Sequence, residues 1–69
     1  MGDQGAFNAG DMARGKVKIS EITLKYIIIR DQMGAEELSK AINVMTQHGW
    51  IVKHCWGDRN AMYALMERT

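Results

Sequence analysis

Gly34 to Trp50, GAEELSKAINVMTQHGW, reads as one complete helix with both ends marked. Leu38, Ala41, Ile42 and Met45 recur at i, i+3, i+4 and i+7, a single apolar stripe at the helical period. Ser39, Lys40, Asn43, Thr46 and Gln47 fill the remainder, so one side is wet and the other is buried. Glu36 and Glu37 lie in the first turn, where carboxylates favour the positive end of the helix dipole. Gly49 stands where a left-handed C′ residue is wanted. Trp50 follows at C″, placed to fold back on Met45 in a Schellman ending. A helix with one dry stripe needs a layer to cover it, and its flanks supply strands.

Upstream, Lys16 to Arg30 reads KVKISEITLKYIIIR, rich in β-branched residues. Val17 and Ile19 alternate in one phase, and Ile22, Leu24, Tyr26 and Ile28 in the other. Such a switch predicts a bulge or short turn near Ser20. Within Leu24 to Arg30, Ile27 and Ile29 make the second face apolar beside Tyr26 and Ile28. A strand apolar on both faces is covered on both, and one helix covers only one of them. Downstream, Trp50 to Trp56 (WIVKHCW) is a strand by composition, Gly57-Asp58-Arg59-Asn60 a hairpin turn, and Ala61 to Glu67 the return strand.

The order β-α-β-β predicts an α+β fold: a three-stranded, mainly antiparallel sheet with one helix on one face. A right-handed crossover leaves the first two main strands parallel, which puts the last strand between them. An extra short N-terminal strand is accommodated at Lys16 to Thr23. Residues 1–15, MGDQGAFNAGDMARG, hold four of the seven glycines and no apolar periodicity. They read as a flexible Gly-rich leader, with 16–69 as a single α+β domain.

A chain of 69 residues is one domain at most, and such a domain buries only about 60% of its unfolded surface. A core of that size supplies roughly 3–5 kcal/mol without further aid. Cys55 is the only cysteine, so no disulfide forms within the chain. Cys55, His48 and His54 lack the spacing of a zinc finger, and no other cofactor is implied. Self-association into a homo-oligomer is the aid that remains. The net charge of +1 offers no basic face for a nucleic acid duplex. No apolar run approaches the ~20 residues of a membrane span, and residues 1–14 show no signal-peptide core, so the expectation is a cytoplasmic protein without a membrane partner. Gly10, Gly15 and Lys16 match part of a phosphate-binding loop. Val17 replaces its Ser or Thr and no strand precedes Gly10, so the match reads as coincidence.

Four features together carry a family resemblance: a strand beginning Lys25-Tyr26, a helix with Leu38 and Asn43, the pair Gly49-Trp50, and a closing strand ending Met66-Glu67-Arg68. They resemble the domain-of-unknown-function family 4177, short bacterial and phage proteins with a helix ending in Gly-Trp before a strand. The resemblance covers about residues 25–68. It implies a small α+β domain and transfers no catalytic residue.

Nucleophilic catalysis would need Cys55 beside a base, but adjacent strand residues such as His54 point to opposite faces. Glu36 and Glu37 diverge around their helix, and Asp58 and Glu67 stand alone. The chain therefore reads as no enzyme. On the hairpin, Trp50, Val52, His54 and Trp56 share one face in strict alternation, with Ile51, Lys53 and Cys55 on the other. Trp56 leads directly into the turn. His54, Trp56, Asp58, Arg59 and Tyr63 are thus the candidate ligand-binding residues. An aromatic plane beside Arg suits a planar, phosphate-bearing ligand. The competing explanation makes Trp50 and Trp56 core or interface residues. The methionines at 33, 45, 62 and 66 are adaptable surface for core or partner.

The function expected is a non-enzymatic, homo-oligomeric binding protein that sequesters a small phosphate-bearing ligand. The phage members of the resembling family imply an anti-defence role, capturing a nucleotide signal of bacterial immunity. The alternative is a protein inhibitor or adaptor acting through the sheet face or hairpin.

Overall fold

The computed structural model describes residues 6–32 and 35–69. Readings that fall on residues 1–5, Met33 and Gly34 lie outside the described residues. In chain order the elements are β1 (Ala6–Asn8), α1 (Ala9–Ala13), a 3-10 turn (Ile19–Glu21), β2 (Tyr26–Asp31), α2 (Glu36–Gln47), β3 (Trp50–Gly57) and β4 (Met62–Arg68). They form one α+β unit with a mixed four-stranded sheet in the order β1-β2-β4-β3. As the crossover argument requires, β4 lies between β2 and β3 and runs antiparallel to both.

The fourth strand comes from the segment read as a leader. β1 pairs in parallel with β2, Ala6 opposite Ile28 and Asn8 opposite Arg30. α1 follows at once and is capped at both ends. The Asn8 Oδ1 accepts from the Asp11 N–H at 3.2 Å, as an N-cap side chain does. At the other end Gly15 takes a positive φ of 79°. The Lys16 N–H reaches the Asp11 carbonyl at 2.9 Å and the Gly15 N–H the Met12 carbonyl at 3.1 Å, the bond pair of a Schellman ending. Ala9 and Met12 are buried, and Phe7 packs against the core. Residues 6–15 are therefore part of the domain, a correction to the leader reading. Five helical residues are too few to show a period, so the caps were the only signal.

Lys16 to Thr23 is the converse correction, since it forms no strand. β1 and β2 are parallel, so this stretch must carry the chain back to the start of β2. Ile19 is buried beneath the 3-10 turn while Val17 and Ile22 pack against the core. The Arg68 guanidinium donates to the Ile22 carbonyl at 2.9 Å and the Thr23 carbonyl at 3.1 Å, clamping the loop to β4. Burial as a loop satisfies the same β-branched side chains that a strand would, which is why composition misleads here.

The crossovers β1-α1-β2 and β2-α2-β3 advance in the same direction along the sheet, so crossovers of like hand put both helices on one face. α1 packs on α2, and Leu38, Ala41 and Met45 of α2 are buried with Ile27, Ile29, Ala64 and Met66 of the sheet. The helical stripe read from sequence is the stripe that is buried. Ala35 offers α2 no side-chain cap. Instead Asp31, buried at the end of β2, accepts the Leu38 N–H on its Oδ2 at 2.9 Å. Gly49 has φ of 88°, as its C′ position demands. Its N–H bonds the Thr46 carbonyl at 3.2 Å, and Trp50 enters the core.

Candidate functional site

With both helices on one side, no helix among the described residues covers the opposite face of the sheet. Alternation assigns its residues: Tyr26, Ile28 and Arg30 on β2, and Tyr63, Leu65 and Glu67 on β4. On β3 the alternation is interrupted. Val52 opposes Met66 and His54 opposes Leu65, so Lys53 is an extra, bulged residue. A bulge reverses the phase of everything beyond it. Trp50 and Val52 therefore share the helix side with Cys55, while Ile51 shares the open face with His54 and Trp56. The strict alternation expected for Trp50, Val52, His54 and Trp56 is corrected accordingly.

The bulge assembles a row of rings. Trp56 lies opposite Tyr63 in register, and their rings stack at 5.3 Å between centroids with planes 13° apart. His54 also stacks on Trp56, at 5.6 Å and 23°. These separations fall within the usual range of offset-stacked pairs. Arg30 is the next register partner of Tyr63 across the sheet. The row Arg30–Tyr63–Trp56, with His54 beside it, is a cationic and aromatic surface at one end of the open face. His54, Trp56 and Tyr63 are thus brought together as the spacing implied.

The two remaining candidates have different fates. The Asp58 Oδ1 accepts the Asn60 N–H at 2.8 Å and the Ala61 N–H at 2.9 Å, while the Asp58 N–H returns to the Ala61 carbonyl at 2.9 Å. The backbone donors of Asn60 and Ala61, aided by the charge of Arg30, hold its carboxyl below the usual range. Asp58 therefore shapes the turn. Arg59 sits exposed at the tip, and no hydrogen bond or ion pair to it occurs among the described residues. Arg30 is the residue that the sequence reading missed. Its signal was the alternation Tyr26, Ile28, Arg30 running out onto the open face.

At the opposite end of the face Glu67 is held by three partners: Lys53 at 3.4 Å, Lys25 at 3.5 Å and the Tyr26 hydroxyl at 3.3 Å. Desolvation raises its carboxyl, but the hydrogen bond and charge of Lys53, the Tyr26 hydroxyl and the charge of Lys25 outweigh it. The net displacement is downward. The apolar pair Ile28 and Leu65 lies between the two polar ends.

Hollows also occur elsewhere among the described residues. One of about 470 Å³ lies between Phe7 and the loop bearing Lys16, Val17, Ile22 and Leu24. Another of about 310 Å³ separates Arg14 from Asp31, Glu36 and Glu37. Neither is lined by His54, Trp56, Arg59 or Tyr63. Cys55 is an exposed thiol on the face away from His54. No cluster of three His, Cys, Asp or Glu side chains suited to a metal occurs among the described residues. No described helix is long and apolar enough to cross a membrane.

Compared with protein-family models, curated proteins and solved structures, the chain matches none of them.

Proposed function

We propose that the protein is a non-enzymatic binding protein whose ligand is a small, planar molecule bearing phosphate, a nucleotide being the simplest case. The observation that carries this reading is the stacked row His54, Trp56 and Tyr63 on an uncovered face, with Arg30 next in register. The exposed parts of these rings supply contact area to a base with few rotamers to freeze. A guanidinium supplies paired donors to phosphate, and Arg59 at the turn is a second, unengaged one. On this reading the ligand is held rather than converted. That fits the sequestering, anti-defence role implied by the family resemblance.

Calorimetric titration against a panel of cyclic and linear nucleotides tests the reading. At least one should bind, and Arg30→Ala or Arg59→Ala should weaken it about ten- to a hundredfold, the loss of a hydrogen bond to a charged group. Trp56→Ala should weaken it too. Binding that survives all three changes would move the site, with the hollow beside Phe7 and Lys16 the next to examine. No heat from any nucleotide, with a protein recovered in a pull-down, would favour the inhibitor or adaptor reading.

A further inference from the structure

We infer that a second copy of this chain covers the open sheet face, and that the ligand site proposed above is complete only between the two copies. The first clause stands by itself, and the second rests on the proposed ligand reading.

Both edges of the sheet are closed to extension. β1 is only three residues long. β3 carries the Lys53 bulge in the middle of an otherwise long edge. Very short edge strands, bulges and edge lysines are the devices that discourage strand addition. The face is what remains. Tyr26, Ile51 and Trp56 are three of the five large apolar residues exposed among the described residues, and all three lie on it. Ile28 and Leu65 form a half-buried apolar centre, with Arg30 at one end and the Glu67 cluster at the other. A dry centre within a charged rim, rich in Tyr, Trp and Arg, is the anatomy of a protein interface.

Size agrees. Strands about 4.8 Å apart and ~3.3 Å per residue give the three long strands of the face roughly 15 by 25 Å. Two such faces with their side-chain relief bury on the order of 1,000 Å² in total, at the threshold for a specific interface. The ring row also needs a second wall. A planar ligand stacked on one flat surface keeps its other side in water, whereas ligand sites usually enclose about 70–90% of the ligand. A facing copy provides that wall and offers the second helix-free face the cover that its own chain lacks.

Light scattering of the ligand-free protein at about 100 µM tests the first clause, with far-UV circular dichroism confirming the fold of each variant. The wild type should have twice the 7.8 kDa chain mass. Leu65→Lys and Ile51→Lys, both on the open face, should be folded monomers, while Val52→Lys, on the helix side of the same edge strand, should stay dimeric. If Leu65→Lys unfolds, Ile51→Lys decides, since that position is already 43% exposed. A monomeric wild type, a dimer that survives Ile51→Lys, or dissociation by Val52→Lys alone would each overturn the inference. A dimer with this pattern that binds no nucleotide supports the interface and refutes only the ligand reading. Nucleotide bound by the Ile51→Lys monomer at wild-type affinity would overturn the shared site. An affinity at least tenfold weaker supports it.

Discussion

Met12→Ala tests most sharply whether α1 belongs to the core. The Met12 side chain is 1% exposed and sits in the cluster with Ala9, Ile27, Ile29 and Met45. Returning a buried Met side chain to water costs about 1.5–3 kcal/mol, and the cavity left behind brings the total to about 2–5 kcal/mol. A chain of this length has only ~3–10 kcal/mol to lose. At about 4–8 °C per kcal/mol for a small domain, the midpoint should fall by at least ~8 °C. The cost is bounded above by the free energy of detaching β1 and α1 together, because a weakened helix can peel away while the rest of the sheet persists. Thermal and urea unfolding should be run beside Arg14→Ala, an exposed position whose ion pair with Asp11, at 3.5 Å, is at the surface. That control should move stability by less than about 0.5 kcal/mol. A Met12→Ala protein as stable as the control would refute the packing of α1 and restore the leader reading.

Other outcomes follow from the same contacts. Gly49→Ala should cost about 1 kcal/mol or more, because the positive φ penalises any Cβ although there is space for one; an unchanged midpoint would contradict the left-handed angle. Asp31→Ala should cost at least ~1 kcal/mol by removing the cap on Leu38, read as lost helicity as well as a lower midpoint. Asp58 and Glu67 both have folded carboxyls below their unfolded values. Their contributions are therefore present above the unfolded values, and are lost as acid carries pH below about 4 toward the folded ones. Asp58→Asn together with Glu67→Gln should flatten the stability–pH curve in that range and leave its neutral limb unchanged in slope.

The part of this fold that was legible was the part with a period. α2 spans more than three turns, so its stripe and its Gly49 ending stood out, and the hairpin was announced by its turn residues. α1 has five residues and no period, yet Asn8, Asp11 and Gly15 already spelled its caps. The β-branched stretch from Lys16 misled because those side chains are equally content beneath a loop clamped by Arg68. At the site, His54, Trp56 and Tyr63 were legible from spacing around one turn. Which of their neighbours joined them was not, because a single extra residue at Lys53 reverses the face of every later side chain. No local pattern marks that position. Arg30 entered the row through the register of β2 on β4, a pairing between residues distant in sequence.

The most direct measurement of the open face as a binding surface uses its own chromophore. Trp50 is 2% exposed and Trp56 is 38% exposed in the single chain, and a groove between two copies that admits a nucleotide also admits acrylamide, so acrylamide quenches Trp56 and spares Trp50. Adding nucleotide should remove the quenchable fraction of the emission saturably, with the midpoint shifted at least tenfold in Arg30→Ala. Emission that stays equally quenchable at every nucleotide concentration would contradict the account.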